Sequence, residues 1–423
     1  MIFENSQAFA KSMDNADPLN QFREQFYIPK VNGKDSLYFT GNSLGLQPKA
    51  AEEALKVELE DWKNLGVEGH FHGTNPWFHY HKFLTENAAA IVGAKPIEVV
   101  VMNQLTSNLH FLFVSFYRPV PGRFKILMEG GAFPSDMYLV ESQVRFHGYD
   151  PKEAIIELHP RTGEYSLRKE DILAAIEEHG KDLALVFFSG VQYYTGQVFD
   201  IPAITEKAHS VGAVAGFDLA HAAGNIELKL HEWNVDFAAW CSYKYLNSGP
   251  GSVAGAFVHE KFSNNNELPR FAGWWGHDES VRFQMLKGFQ PESGAAGWQL
   301  SNAPVLSMCV HKVSLEIFAK AGINNLVKKG KELNAYLEFV IQEAMQFNEN
   351  LNLKIITPPA PERGCQISML TGDNGKDIFD YLTANGVIAD WRNPNVIRMA
   401  PVPLYNTFED VYQFGQILKS FKN

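Results

Sequence analysis

Ser242-Tyr243-Lys244-Tyr245-Leu246-Asn247-Ser248-Gly249-Pro250-Gly251 sets a single lysine between two tyrosines, at the end of an apolar run and ahead of a turn-forming Gly-Pro-Gly. Upstream, Asp218-Leu219-Ala220-His221-Ala222-Ala223-Gly224-Asn225 opens with a carboxylate that closes another apolar run, 26 positions before the lysine. Pyridoxal phosphate chemistry needs this layout. A lysine amine holds the aldehyde as a Schiff base, and a carboxylate keeps the pyridine nitrogen protonated so that the ring can accept electrons.

Working outward, short apolar runs alternate with helical periodicity. The runs are Glu98–Met102, Phe124–Met128, Leu183–Phe188, Ala213–Phe217, Val235–Trp240 and Val253–Val258. Between them lie helical patterns such as Asp171–His179 and Ile201–Val211. That alternation predicts βαβ units and an α/β fold with a mainly parallel sheet. Texture changes after residue 303: a helix-rich stretch over Pro304–Asn350 precedes strand-like Gln366–Leu370 and Val396–Met399. The expected organisation is an N-terminal arm (1–40) packing with the small domain, a large domain (41–303) and a smaller α+β C-terminal domain (304–423).

Composition narrows the function classes. The chain has 423 residues and a net charge of −11, with no basic run to track phosphates, so no nucleic acid is expected as partner. Its three cysteines, Cys241, Cys309 and Cys365, lack C-x-x-C spacing, which argues against a disulfide framework or zinc site. No signal-peptide pattern opens the chain and no apolar stretch approaches the ~20 residues a membrane span needs. A soluble, cytoplasmic protein is expected. His70, His72, His79 and His81 resemble a metal cluster superficially, but no cysteine or carboxylate completes a first shell, so no metal is expected.

In an open α/β sheet, ligands bind at the carboxyl ends of the strands, where Asp218 falls, although a carboxylate there can also cap a turn. His221 suits either a cofactor contact or a hydrogen-bonded turn. Gly249 and Gly251 would let the backbone pass close to a ligand. Leu105-Thr106-Ser107 follows a strand and opens a helix, with Thr106 as N-cap and free N–H groups for a phosphate. Phe133 offers a flat face for stacking, and Asp136 is a second acid near the ring. Arg398, in a short apolar strand, suits either a substrate carboxylate or an internal salt bridge.

Together these motifs resemble the kynureninase family, pyridoxal phosphate enzymes of fold type I, the aspartate aminotransferase fold. The resemblance runs almost end to end. It includes Tyr38-Phe39-Thr40-Gly41-Asn42-Ser43-Leu44-Gly45-Leu46-Gln47-Pro48-Lys49, Phe133-Pro134-Ser135-Asp136, Phe188 through Gln197, Ala220 through Asn225 and Ser242 through Asn247. Gly273-Trp274-Trp275-Gly276-His277 and Arg398 through Asn406 extend it, and the combination of the first with Val191-Gln192-Tyr193-Tyr194-Thr195-Gly196-Gln197 is far more specific than the lysine motif alone.

The resemblance implies roles by matching position. Lys244 would carry the coenzyme, Asp218 would pair with its ring nitrogen and Phe133 would stack on the ring. Leu105 and Thr106 would hold the phosphate, and Pro134, Ser135, Asp136, Ser189, His221 and Tyr243 would complete the shell. Trp274 and Asn302 would come from the neighbouring subunit of a homodimer. Ser43, His70, Asn302 and Arg398 would face an amino-acid substrate, and Tyr243 would relay protons. The implied reaction is hydrolytic Cβ–Cγ cleavage of L-kynurenine or 3-hydroxy-L-kynurenine, in tryptophan breakdown or NAD synthesis. His70 with Asn302 resembles the members that favour the 3-hydroxylated substrate, whereas Trp275 departs from the phenylalanine several of them carry. That leaves the ring preference open.

Three rivals differ at nameable residues. A cysteine desulfurase or selenocysteine lyase would carry histidine before the lysine, where Tyr243 stands, and a reactive cysteine on a mobile loop, whereas Cys365 reads as a strand start. A non-catalytic regulator of the same fold lacks its extra domain before residue 40. A nicotinamide enzyme lacks its G-x-G-x-x-G.

Overall fold

Six apolar runs of the sequence become strands, and a seventh strand joins them at the edge. The computed structural model describes residues 2–422. Its large sheet comprises β1 (Val99–Met102), β2 (Lys125–Glu129), β3 (Ile155–Leu158), β4 (Leu183–Ser189), β5 (Val214–Asp218), β6 (Phe237–Trp240) and β7 (Ala254–Val258). The spatial order is β1-β7-β6-β5-β4-β2-β3. Pairings from β3 through β6 are parallel, while β7 runs antiparallel to both β6 and β1.

Alternation along the strands fills two cores, one on each face of the sheet. Leu185 and Phe187 point into one, while Val186 and Phe188 point into the other. Helices Leu105–Phe116 and Pro134–Phe146 cover the first face. Helices Lys82–Val92, Ile201–Ser210 and Val305–Ala321 cover the second. Burial on both faces is why the central strands read as unbroken apolar runs. Ile155–Leu158 reads differently because it is a half-buried edge strand with Glu157 exposed.

The second sheet comprises β8 (Leu353–Ile355), β9 (Ile367–Thr371), β10 (Asp390–Arg392) and β11 (Val396–Met399), antiparallel in the order β8-β9-β11-β10. The long helix Ile323–Phe347 and the C-terminal helix Phe408–Lys419 back it. Ala10, Leu37 and Phe39 are buried in this same core, and Phe3 and Phe9 pack on Tyr336. Asp14 accepts the Phe408 and Glu409 N–H groups at 2.7 and 3.0 Å and so caps the C-terminal helix.

The sequence reading placed the domain boundary near residue 303. In the structure Met308, Cys309, Leu315 and Phe318 belong to the large core, and helix Ile323–Phe347 begins there at Leu326 and enters the small core from Leu333. Among the described residues, no helix is long and apolar enough to cross a membrane.

Candidate active site

Five parallel strands end at one edge of the large sheet, and three of them present polar side chains there: Glu129 from β2, Ser189 from β4 and Asp218 from β5. Beyond β6 the chain turns at Cys241 and delivers Lys244 to the same edge. The loop is pinned on several sides. Gly45 N–H donates to the Tyr243 carbonyl at 2.8 Å, the Ser242 hydroxyl donates to the Val253 carbonyl, and Asn247 N–H donates to the Lys244 carbonyl at 3.0 Å. A Cβ on Gly45 would sit 2.3 Å from the Lys244 carbonyl oxygen, so only glycine lets the Gly41–Gly45 turn pack this closely. Gly249 and Gly251 have φ values of +88° and +66°, which by themselves favour glycine, and no protein atom lies within 4 Å of where a Cβ would stand on either.

The edge encloses a cleft of about 230 Å³. Ten residues singled out in the sequence line it: Leu105, Thr106, Phe133, Ser135, Asp136, Ser189, Asp218, His221, Tyr243 and Lys244. Pro134 stands at the first position of the helix behind Phe133, where its fixed φ suits a helix start. Thr106 is not the N-cap. That position is Gln104, whose side chain makes no capping bond, and the Thr106 hydroxyl meets that of Ser135 at 2.7 Å. Two helix N-termini therefore converge with two hydroxyls, an anion-binding arrangement.

Elsewhere in the cleft Asp136 and Asp218 feel the charge of Lys244, and Glu129 that of Asp218. Asp136 is pushed well above its ordinary range, first by burial and then by Asp218. Asp218 is raised by burial, against the pull of the Ala220 N–H at 2.6 Å and of Lys244. Asp136 is the more strongly raised of this pair, and its Oδ1 is buried without a partner. Lys244 Nζ lies 5.8 Å from the Phe133 ring centre and 6.0 Å from that of Tyr243. Burial, then Cys241, lifts the Tyr243 hydroxyl above its usual range, so it is a proton donor at neutral pH. His221 is held neutral by burial and by Lys244, with Nδ1 unpartnered.

The remaining residues singled out lie elsewhere. His70 and Asn302 line a separate cavity of about 210 Å³ with Glu58, Trp62, Trp77 and Leu306. Ser43 and Trp274 are exposed outside the cleft. Arg398, 1% exposed, pairs with Asp390 and donates to the Tyr193 carbonyl at 2.5 Å, while its Nε has no partner. Of its two sequence readings, the internal salt bridge is present in this structure.

Sequence reasoning missed Glu129 and Tyr193. Tyr193 packs edge-on against Phe133 at 5.1 Å. Glu129 had the same signal as Asp218, a carboxylate directly after an apolar run. Among the described residues, Glu98, His231 and His259 bring three potential metal ligands within 4.8 Å of one another. Hydrogen bonding accounts for them. Glu98 pairs with His231 Nδ1 at 2.9 Å and accepts the Lys95 and Glu260 N–H groups, and His259 Nδ1 accepts the Lys261 N–H at 3.1 Å.

Kynureninase of Flavobacterium psychrophilum is 55% identical over 420 residues, covering 99% of both chains. That of Nematostella vectensis is 50% identical, covering 98% of this chain and 94% of its own. The chain belongs to the kynureninase family. A family profile described as the kynureninase C-terminal domain matches residues 326–418, which begins where the long helix leaves the large core. Solved structures place the chain in fold type I. The cystine C-S lyase C-DES, in a form with glycine covalently linked to its pyridoxal phosphate cofactor, superposes with a TM-score of 0.75 at 16% identity, covering 95% of this chain and 99% of that one. A cysteine desulfurase from Thermococcus onnurineus gives 0.74 at 17%, covering 94% and 96%.

The donor set fits pyridoxal phosphate: hydroxyls and helix N-termini for its phosphate, an aromatic face for its ring, a buried acid pair for its nitrogen, and an amine for its aldehyde.

Proposed function

We propose that this chain hydrolyses the Cβ–Cγ bond of L-kynurenine or 3-hydroxy-L-kynurenine, with water entering and L-alanine plus anthranilate or 3-hydroxyanthranilate leaving. The observation that carries the reading is the acid pair Asp136–Asp218 facing Lys244 across one cleft. Bound pyridoxal phosphate supplies an aldehyde that condenses with amines and a ring that withdraws electrons from the carbon beside that amine. Lys244 holds the coenzyme and, once released, moves the proton at the substrate Cα. Asp218 keeps the ring nitrogen protonated, and Asp136, itself protonated, keeps Asp218 from facing a second buried charge. Thr106 and Ser135 hold the phosphate. Tyr243 donates a proton where the carbon–carbon bond breaks. Arg398 meets the substrate carboxylate, which must compete with Asp390 for the guanidinium, and Ser43 sits on the turn that packs against the lysine loop.

The proposed active unit is a homodimer in a cytoplasmic setting, in which Trp274, Asn302 and His70 of one protomer complete the cleft of its partner. Aromatic continuity supports this reading. Trp274, Phe283, Phe78, Phe71 and His70 follow one another at ring spacings of 5.5, 5.4, 5.9 and 6.3 Å. Trp62, Phe71, Trp274, Phe283, Met285 and Leu306 expose large apolar surface around this chain of rings.

The desulfurase reading needs an accessible thiol. All three cysteines are buried, and burial pushes the thiol of Cys365 up to about 12 and that of Cys309 to about 11. Incubating the protein and pyridoxal phosphate with each kynurenine tests the proposal: alanine and the matching aromatic amine should appear in equal amounts. If neither substrate yields both products, the assignment is lost.

A further inference from the structure

One carboxylate in the cleft has no part in the reading above. Glu129 closes β2, is 3% exposed and lines the cleft. Its Oε2 accepts the Ser189 N–H at 2.9 Å, and its Oε1 takes the proton of the Ser189 hydroxyl. A buried acid that merely ties β2 to the neighbouring β4 would need only the first of these bonds. The second is made to a side chain that itself lines the cleft, in register opposite Asp218.

We propose that Glu129 is a positioning residue for the cofactor: by taking the hydroxyl proton of Ser189 it leaves that oxygen able to meet pyridoxal phosphate only as an acceptor. This rests on the cofactor reading given above and adds a polarity to it. A hydroxyl has one proton, and once that proton is committed to a carboxylate the oxygen has only lone pairs to offer. Ser189 then suits a donor group of the coenzyme and disfavours its anionic phosphate oxygens, which agrees with the phosphate belonging to Thr106 and Ser135. Glutamine at 129 has one carbonyl for two Ser189 donors and presents N–H groups to the other. Either the hydroxyl turns round, or the backbone N–H loses its acceptor.

The test is the dissociation constant for pyridoxal phosphate, titrated in mildly alkaline buffer into protein stripped of the coenzyme. Wild type, Glu129→Gln, Ser189→Ala and the double variant are compared, with unfolding temperatures taken before addition. Each single change should weaken binding by about tenfold, the scale of a charge-assisted hydrogen bond. The double variant should bind no more than about twofold worse than Ser189→Ala, because the two act through one contact. Losses that multiply would show Glu129 acting apart from Ser189 and overturn the proposal, as would full affinity in folded Glu129→Gln. Should Glu129→Gln not fold, Ser189→Ala keeps both the carboxylate and the backbone bond, and undiminished affinity there overturns it equally. A wild-type protein that takes up no pyridoxal phosphate would remove the cofactor reading itself, and the proposal with it.

Discussion

Lys244 and Asp218 were legible because each follows a buried apolar run, and the carboxyl edge of a parallel sheet gathers such residues into one place. Lys244→Ala should abolish the visible absorption of the lysine-bound coenzyme. An unchanged band would assign the attachment to another lysine. Glu129 carries the same local signal as Asp218, but its partnership with Ser189 depends on which strand lies beside its own, and strand order is not written in local pattern. Its buried environment also gives a pH signature. Burial, followed by the opposing pull of the Ser189 hydroxyl and N–H and the push of Asp218, leaves its carboxyl raised to about 7 from 4.5. A carboxyl raised by folding contributes stability that is full below its unfolded pKa and is lost as pH rises through the folded one. For protein without coenzyme the loss is about 3 kcal/mol at ~1.4 kcal/mol per unit. The unfolding temperature should therefore fall between pH 4.5 and 7, and fall less in Glu129→Gln, where Asp136, Asp218 and Lys244 remain. Equal slopes in the two proteins would show that Glu129 does not titrate in that window.

At the scale of elements, the strands and crossover helices of the large domain were readable wherever both faces are covered, and unreadable at Ile155–Leu158, where one edge meets solvent. The N-terminal arm is held by features that no local pattern reveals. Lys329, in the second turn of the Ile323–Phe347 helix, meets Asp17 at 2.6 Å with both side chains nearly buried. Such a pair resists the loss of one member far more than the loss of both, since an unmatched buried charge cannot be solvated. Lys329→Ala should cost about 3 kcal/mol and lower the unfolding temperature by several degrees. Adding Asp17→Leu to Lys329→Met should return most of that loss. A double variant as unstable as Lys329→Ala would mean that the helix packing, and not the ion pair, secures the arm.

For the whole molecule, the boundary near residue 303 followed a change of texture, but texture records where helices begin, not which core they enter. Helix Val305–Ala321 packs on the large core and carries the chain past Asn302, which stands beside His70 and away from the cleft lined by Lys244. This separation makes subunit exchange decisive. Lys244→Ala and Asn302→Ala protomers, each inactive or nearly so alone, can be mixed, dissociated and reassociated. If Asn302 serves its partner's cleft, a mixed dimer has one site with both lesions and one site with neither. Random pairing makes half the dimers mixed, so roughly a quarter of wild-type activity should return. If Asn302 serves its own protomer, every site in a mixed dimer keeps one lesion and nothing returns. Recovery absent from a mixture shown to contain mixed dimers would place Asn302 in the service of its own protomer and overturn the shared cleft.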